Sequence, residues 1–185
     1  MTIDLNIVGN MGQICTATSR IFVQESIYEK FIDAFKMQTK KVSQIGDPFA
    51  ESTFQGPQVS RIQWERVMAY IASGQSEGAK LVIGGIKHGD KGYFIAPTVF
   101  MDVEDHMIIS REEIFGPVVT IASFKSEEEV VKRANSSNYG LGAAIFTQNI
   151  TRAHKVAAKI QAGMVWVSVS FTVNAHVNVN IYLDQ

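Results

Sequence analysis

The stretch Val118-Val119-Thr120-Ile121-Ala122-Ser123-Phe124 puts the strongest constraint on the fold. A strand with one wet face alternates apolar and polar residues. This run is β-branched and nearly continuous, which requires apolar cover on both faces. A helix start follows at once: Ser126 and Glu129 form a capping box, and the acidic residues around them complement the helix dipole. Val130, Val131 and Ala134 supply that helix with an apolar face, and Asn135-Ser136-Ser137-Asn138 ends it. A doubly covered strand running straight into a helix is the unit of an α/β fold.

The same grammar recurs along the chain. Ile21-Phe22-Val23 reads as a strand, followed by a second capping box, Ser26 with Glu29. Ile27, Phe31 and Phe35 fall at four-residue spacing, with Val42 and Ile45 at the far end and Gly46 and Pro48 as stops. Ser60 and Gln63 open another helix whose buried stripe is Trp64, Val67, Met68 and Ile71, and Gly74 and Gly78 loosen its end. Leu81-Val82-Ile83 is a short strand, whereas Tyr93-Phe94-Ile95 and Thr98-Val99-Phe100 flank Pro97 and are expected at a sheet edge or in irregular extended chain. Ala143-Ala144-Ile145-Phe146 is a strand, Ala153, Val156, Ala157 and Ile160 mark a helix ended by Gly163, and Met164-Val165-Trp166-Val167 is a strand that buries Trp166. Strand and helix alternate as in a parallel or mixed sheet with right-handed crossovers.

Composition narrows the partners. The 185 residues carry 17 basic and 18 acidic side chains, a net charge of −1, so no electrostatic footprint for nucleic acid or an anionic membrane exists. The single cysteine cannot make an internal disulfide, which points to a reducing, cytoplasmic location. Residues 1–8 lack the features of a secretory signal, and no apolar run has the roughly 18 residues of a membrane span. His88, His106, His154 and His176 are scattered without metal-ligand spacing, so they are read as surface or satisfied histidines and no metal site is expected.

That cysteine, Cys15, lies in Gly9-Asn10-Met11-Gly12-Gln13-Ile14-Cys15-Thr16-Ala17-Thr18-Ser19-Arg20. A lone intracellular cysteine is more often a small buried hydrophobe than a nucleophile. Here, however, a glycine and a glutamine precede it and small hydroxyl residues follow, so a substrate can approach closely. Arg20 would favour the thiolate if it folded back toward the sulfur.

Five separated stretches, taken together, resemble the catalytic domain of the NAD(P)-dependent aldehyde dehydrogenase superfamily. They are Gly12-Gln13-Ile14-Cys15 with Ser19-Arg20; Gln55-Gly56-Pro57; Glu112-Glu113-Ile114-Phe115-Gly116-Pro117-Val118; Ala134-Asn135 with Tyr139-Gly140-Leu141; and Ala162-Gly163 with Trp166-Val167. They occur in the family's order and at similar separations between about Asn10 and Val167. The resemblance implies an α/β catalytic domain with a mixed or parallel sheet flanked by helices, lacking the nucleotide-binding domain.

It also implies roles. Cys15 matches the nucleophile that forms a thiohemiacetal with an aldehyde and then a thioester. Its backbone amide matches one oxyanion donor. Glu113 matches a carboxylate that accepts hydroxyl hydrogens of the nicotinamide ribose, Phe115 an aromatic ring packed near the nicotinamide, and Gln63 a position that reaches the ribose in some members. Gln63 is equally readable as the capping partner of Ser60. The cofactor implied is NAD or NADP, the substrate a small aldehyde, and the assembly a homo-oligomer.

The sequence also departs from the family. The Glu-Leu-Gly-Gly stretch that supplies the general base, the asparagine that completes the oxyanion hole and the nucleotide-binding domain have no counterpart in these 185 residues. Residues 1–9 and 178–185 are atypical ends, and Ser168 stands where an asparagine is common. The expectation is one partial catalytic domain over residues 1–185, inactive by itself. The alternative is a non-catalytic truncated product acting as a folded remnant or subunit-binding module. The stretch from 165 to 173, strand-prone and nearly uncharged, is a candidate for self-association.

Overall fold

The computed structural model describes residues 9–167 and 179–182. Strand β1 (Arg20–Gln24) leads through a 3-10 turn into α1 (Tyr28–Val42). Next come α2 (Arg61–Ser76), β2 (Lys80–Ile83), β3 (Thr98–Met101) and the single turn α3 (Ile108–Arg111). The chain continues with β4 (Val118–Phe124), α4 (Glu127–Asn135), β5 (Gly142–Phe146), α5 (Ile150–Ala157), β6 (Met164–Val167) and β7 (Val179–Tyr182). The strands form one sheet in the order β2-β3-β4-β1-β7-β5-β6. Every pairing is parallel except β2 with β3. This is the mixed α/β sheet that the sequence predicts.

Side-chain alternation along the strands separates two cores. On one face Ile21, Val23, Val99, Val119 and Ile121 pack against Phe31 and Phe35 of α1, whose rings stack 5.6 Å apart. On the other face Phe22, Ala122 and Phe124 meet Val130 of α4 and Val156 of α5. Phe100 and Val118 meet Val67 and Ile71 of α2. Every residue of β4 is buried except Ser123, as its composition requires.

Local signals fare unevenly. The Ser60 hydroxyl accepts from the Gln63 amide and the Ser126 hydroxyl from the Glu129 amide, each at 3.2 Å. Around Ser26 the helix starts later than expected: α1 begins at Tyr28 after the 3-10 turn, with Ile27 at its N-cap and no side-chain cap bond from that residue. The buried stripe of α2 is Val67, Tyr70, Ile71 and Gly74, leaving Trp64 and Met68 half-buried. Gly74 does not loosen that helix; a Cβ there would meet Ile109 and Phe100, so it permits close packing.

Two strand expectations are corrected. Thr98–Met101 is an interior strand between β2 and β4, because Pro97 precedes its first ladder position instead of interrupting it. Residues 93–95 contribute only an isolated bridge, Lys87 with Ile95. Among the described residues β6 is a sheet edge, and Trp166 is half-buried instead of enclosed. Most of the stretch 165–173, and His176, lie outside the described residues. The other three histidines are exposed. Among the described residues no helix is long and apolar enough to cross a membrane.

Because β1, β4, β5 and β6 run the same way, the segments that precede them share the amino edge of the sheet. Cys15 precedes β1, Phe115 precedes β4, Tyr139 precedes β5 and Gly163 precedes β6. Ligands of open α/β sheets usually sit at the carboxyl edge. Here the chemistry-bearing motifs gather at the opposite one.

Candidate active site

The approach to Cys15 is a backbone feature. Asn10, Met11 and Gly12 take consecutive left-handed conformations, with φ of 46°, 57° and 69°. Such a run is costly for residues with a Cβ, and it is pinned. The Asn10 side-chain amide donates to the Gln13 carbonyl at 3.0 Å, and the Gln13 backbone amide donates to the Asn10 carbonyl at 3.0 Å. The Ala17 amide then donates to Ile14 O at 2.9 Å, closing a turn that carries Cys15 at its tip. The thiol is exposed, so the reading of Cys15 as a buried hydrophobe is excluded.

Two other segments are fastened to this loop. From the Gln55-Gly56-Pro57 region, the Val59 amide donates to Gln13 Oε1 at 2.9 Å and Gln58 Nε2 donates to Met11 O at 3.4 Å. From the Glu-Glu-Ile-Phe-Gly-Pro segment, Gly116 lies directly against Gly12: a Cβ on Gly12 would overlap the Gly116 carbonyl. Gly116 is pressed in turn against Val67 of α2. Three motifs far apart in sequence thus meet, and glycine at 12 and 116 permits the contact.

The segment bearing Glu113 and Phe115 is held by one face of α2. Gln63 Nε2 donates to Phe115 O at 2.7 Å and reaches Ile114 O at 3.3 Å. Three residues on, Arg66 Nη2 donates to Glu113 O at 2.9 Å. Tyr70 donates its hydroxyl hydrogen to Glu112 Oε2 at 2.6 Å, and burial raises the Tyr70 pKa, as does this hydrogen bond. From the other side, the Glu113 amide donates to the Tyr139 hydroxyl at 3.2 Å. Phe115 has φ of 57°, a strained conformation held by these contacts.

The structure therefore brings Gln63, Glu113 and Phe115 into one assembly joined to the Cys15 loop. Gln63 fills only half of the expected capping box, because its side chain turns to the Phe115 loop instead of back to Ser60. Sequence reasoning missed Arg66, Tyr70 and Tyr139 as supports of this loop. The spacing of Gln63, Arg66 and Tyr70, which places them on one helical face, was the available signal. Arg20 does not serve the role sketched for it: its guanidinium donates to Ala134 O at 3.5 Å and lines a cleft with Glu112, Glu113 and Tyr139 that does not include Cys15. Among the described residues no group of three His, Cys, Asp or Glu side chains could hold a metal ion.

The α/β sheet thus carries an exposed thiol at its amino edge, joined to a loop that offers a carboxylate and an aromatic ring. The sequence model of the aldehyde dehydrogenase family matches residues 2–180, and the chain belongs to that family. It is 51% identical over 166 residues to an aldehyde dehydrogenase of Davidiella tassiana, covering 90% of this chain and 33% of that protein. It is 51% identical over 159 residues to a mitochondrial aldehyde dehydrogenase of Mesocricetus auratus, covering 86% of this chain and 32% of the relative. Among solved structures, an NAD+ complex of aldehyde dehydrogenase from Bacillus cereus superimposes with a TM-score of 0.86 at 48% identity, covering 92% of this chain and 34% of that one. Betaine aldehyde dehydrogenase from Staphylococcus aureus in complex with NAD+ gives 0.85 at 37%, covering 91% and 34%. The chain spans about a third of the length of the relatives it matches.

Proposed function

We propose that the chain is a partial aldehyde dehydrogenase catalytic domain, spanning residues 1–185, that supplies the nucleophile and the nicotinamide-side loop for oxidation of an aldehyde to a carboxylic acid. The observation that carries this reading is the fastening of the exposed Cys15 turn to the Phe115 loop through Gly12 and Gly116. The Cys15 thiolate attacks the aldehyde carbon, giving a thiohemiacetal; loss of hydride gives a thioester, which water hydrolyses to the acid and the free thiol. The Cys15 amide donates to the oxyanion formed in the addition and hydrolysis steps.

The residues present fit the nicotinamide end of the cofactor. The Glu113 carboxylate has no hydrogen-bond partner among the described residues, while its backbone is fixed on both sides by Arg66 and Tyr139. It is thus positioned to accept ribose hydroxyl hydrogens. The Phe115 ring is half-exposed on a backbone held by Gln63. NAD(P)+ when bound accepts the hydride. Gln63 acts chiefly by positioning the loop, with a direct reach to the ribose secondary. A small aldehyde as substrate, assembly with other copies and a cytoplasmic location belong to the same reading.

Acylation by an activated ester such as p-nitrophenyl acetate tests the assignment without cofactor. A stoichiometric burst of nitrophenolate that disappears in Cys15→Ala is expected, and an unchanged burst in that variant overturns it. The isolated chain is expected to produce no NADH from aldehyde and NAD+, because the general base and the adenosine-binding domain have no counterpart in it.

A further inference from the structure

The successive peptide groups that lead into Cys15 are each held at an identifiable atom. The Met11–Gly12 group accepts at its carbonyl from Gln58 Nε2 at 3.4 Å. The Gly12–Gln13 group donates its N–H to Asn10 O at 3.0 Å. The Gln13–Ile14 group accepts at its carbonyl from Asn10 Nδ2, also at 3.0 Å. The Ile14–Cys15 group, whose N–H is the Cys15 amide, accepts at its carbonyl from the Ala17 amide at 2.9 Å. A trans peptide group is planar with its N–H and C=O pointing opposite ways, so a hold on the carbonyl sets the aim of the N–H.

The grip on the Gln13–Ile14 group comes from a side chain, and the residue that supplies it has a second duty. Asn10 has φ of 46° and ψ of 38°, in the left-handed region that asparagine tolerates better than most residues with a Cβ. It thus turns the chain and, with the same side chain, reaches across that turn. Its backbone carbonyl and its carboxamide clasp the two peptide groups on either side of Gln13. Gln13 Oε1 in turn accepts from the Val59 amide at 2.9 Å, which ties the clasp to a distant segment. Without the carboxamide, the Gln13–Ile14 group can rotate between its flanking Cα atoms, and the neighbouring Ile14–Cys15 group turns with it.

We propose that Asn10 is a positioning residue for the Cys15 amide: by fixing the Gln13–Ile14 peptide group it aims the Cys15 N–H at the oxyanion formed when the thiolate adds to a carbonyl carbon. The inference rests on the reading of Cys15 as the nucleophile and of its amide as an oxyanion donor. Asn10 acts through the backbone, so its effect is selective. In ester acylation the thiolate adds to the carbonyl carbon and the carbonyl oxygen takes up the negative charge. Collapse of the adduct then breaks the bond to nitrophenolate and leaves the thioester. Alkylation by iodoacetamide displaces iodide from a saturated carbon and develops no oxyanion. Both reactions use the same thiolate, so its fraction cancels in the ratio of their rates.

The test measures burst acylation by p-nitrophenyl acetate and alkylation by iodoacetamide in the 185-residue chain, in Asn10→Gly and in Asn10→Asp. Glycine keeps the left-handed conformation accessible and removes the donor. Aspartate keeps the side-chain shape and a tolerance of that conformation, but presents an acceptor to the Gln13 carbonyl. Acylation should slow about tenfold or more in both variants, while alkylation stays within about twofold of the parent rate. A purely structural role would lower both rates together or neither. Should one variant fail to give a dispersed amide spectrum, the other decides; unfolding of both overturns the proposal, because the carboxamide then serves the fold and not the aim of one N–H. An unchanged ratio of the two rates in a folded variant overturns it while leaving the reading of Cys15 intact. Absence of a Cys15-dependent burst in the parent chain overturns that reading, and the positioning role with it.

Discussion

The side-chain amide of Gln63 donates to the carbonyl oxygen of Phe115 at 2.7 Å, across 52 residues of sequence. That bond, together with Arg66 to Glu113 O, makes the first two turns of α2 the template for the loop that offers Glu113 and Phe115. The loop conformation is thus set by helix position as well as by its own sequence.

Gln63→Glu should destabilise the chain more than Gln63→Ala. Alanine only removes a donor, at a cost of about 1 kcal/mol. A carboxylate would instead face two carbonyl oxygens, and that environment favours its protonated form. The introduced carboxyl therefore has a raised pKa in the folded state, so the penalty should be largest near neutrality and shrink on acidification toward about pH 4, the ordinary range of a glutamate. Urea unfolding of both variants at neutral and acidic pH measures the difference.

Gly12→Ala should be among the most damaging single substitutions in the chain. It places a Cβ where the Gly116 carbonyl lies and imposes φ of 69° on an L-residue. A loss of about 3 kcal/mol or more is expected, combining overpacking with backbone strain. A denaturation midpoint within error of the parent chain would contradict the contact.

Tyr28 predicts an alkaline sensitivity. Burial, aided by the Asp102 carboxylate, pushes its phenol far above the usual range, while the Asp102 amide donating to it opposes the shift. The unfolded chain releases this proton near pH 10, whereas the folded chain retains it. Above that pH the unfolded state binds fewer protons, so stability is full below about pH 10 and falls as pH rises further. Tyr28→Phe should be less stable at about pH 8, having lost hydrogen bonds to Asp102 and Ile121 O, yet show a shallower decline between about pH 9.5 and 11. Thermal melts across that interval give both slopes.

Iodoacetamide should label the native chain once, at Cys15, at a rate within about threefold of the urea-unfolded chain, since exposure governs access. Peptide mapping locates the adduct. Protection by more than about tenfold in the native state would mean that the thiol is covered.

Much of this architecture is legible in the residues alone because the strongest signals are local. The β-branched run at 118–124 and the serines at 60 and 126 act within a few positions of themselves, and the structure places them as expected. Ser26 marked the start of α1 too early, because a 3-10 turn over Glu25–Ile27 precedes the helix. Trp166 misled because a strand's apolar content does not reveal whether a neighbour lies on each side. Within the site, Cys15, Glu113 and Phe115 could be named from motif resemblance. Their mutual fastening could not, since it depends on Gly12 meeting Gly116 and on Arg66 and Tyr139 reaching backbone atoms far along the chain.

β7 comes last in the described sequence yet lies in the middle of the sheet, between β1 and β5. Before residues 179–182 are in place, β2-β3-β4-β1 and β5-β6 have no strand joining them, so two half-sheets would expose facing edges. Synthesis on a ribosome therefore delivers the keystone after the blocks it must lock. Both open edges would be available meanwhile to any extended segment nearby, which makes completion of the sheet, more than formation of its parts, the step at which this chain is exposed to misassembly.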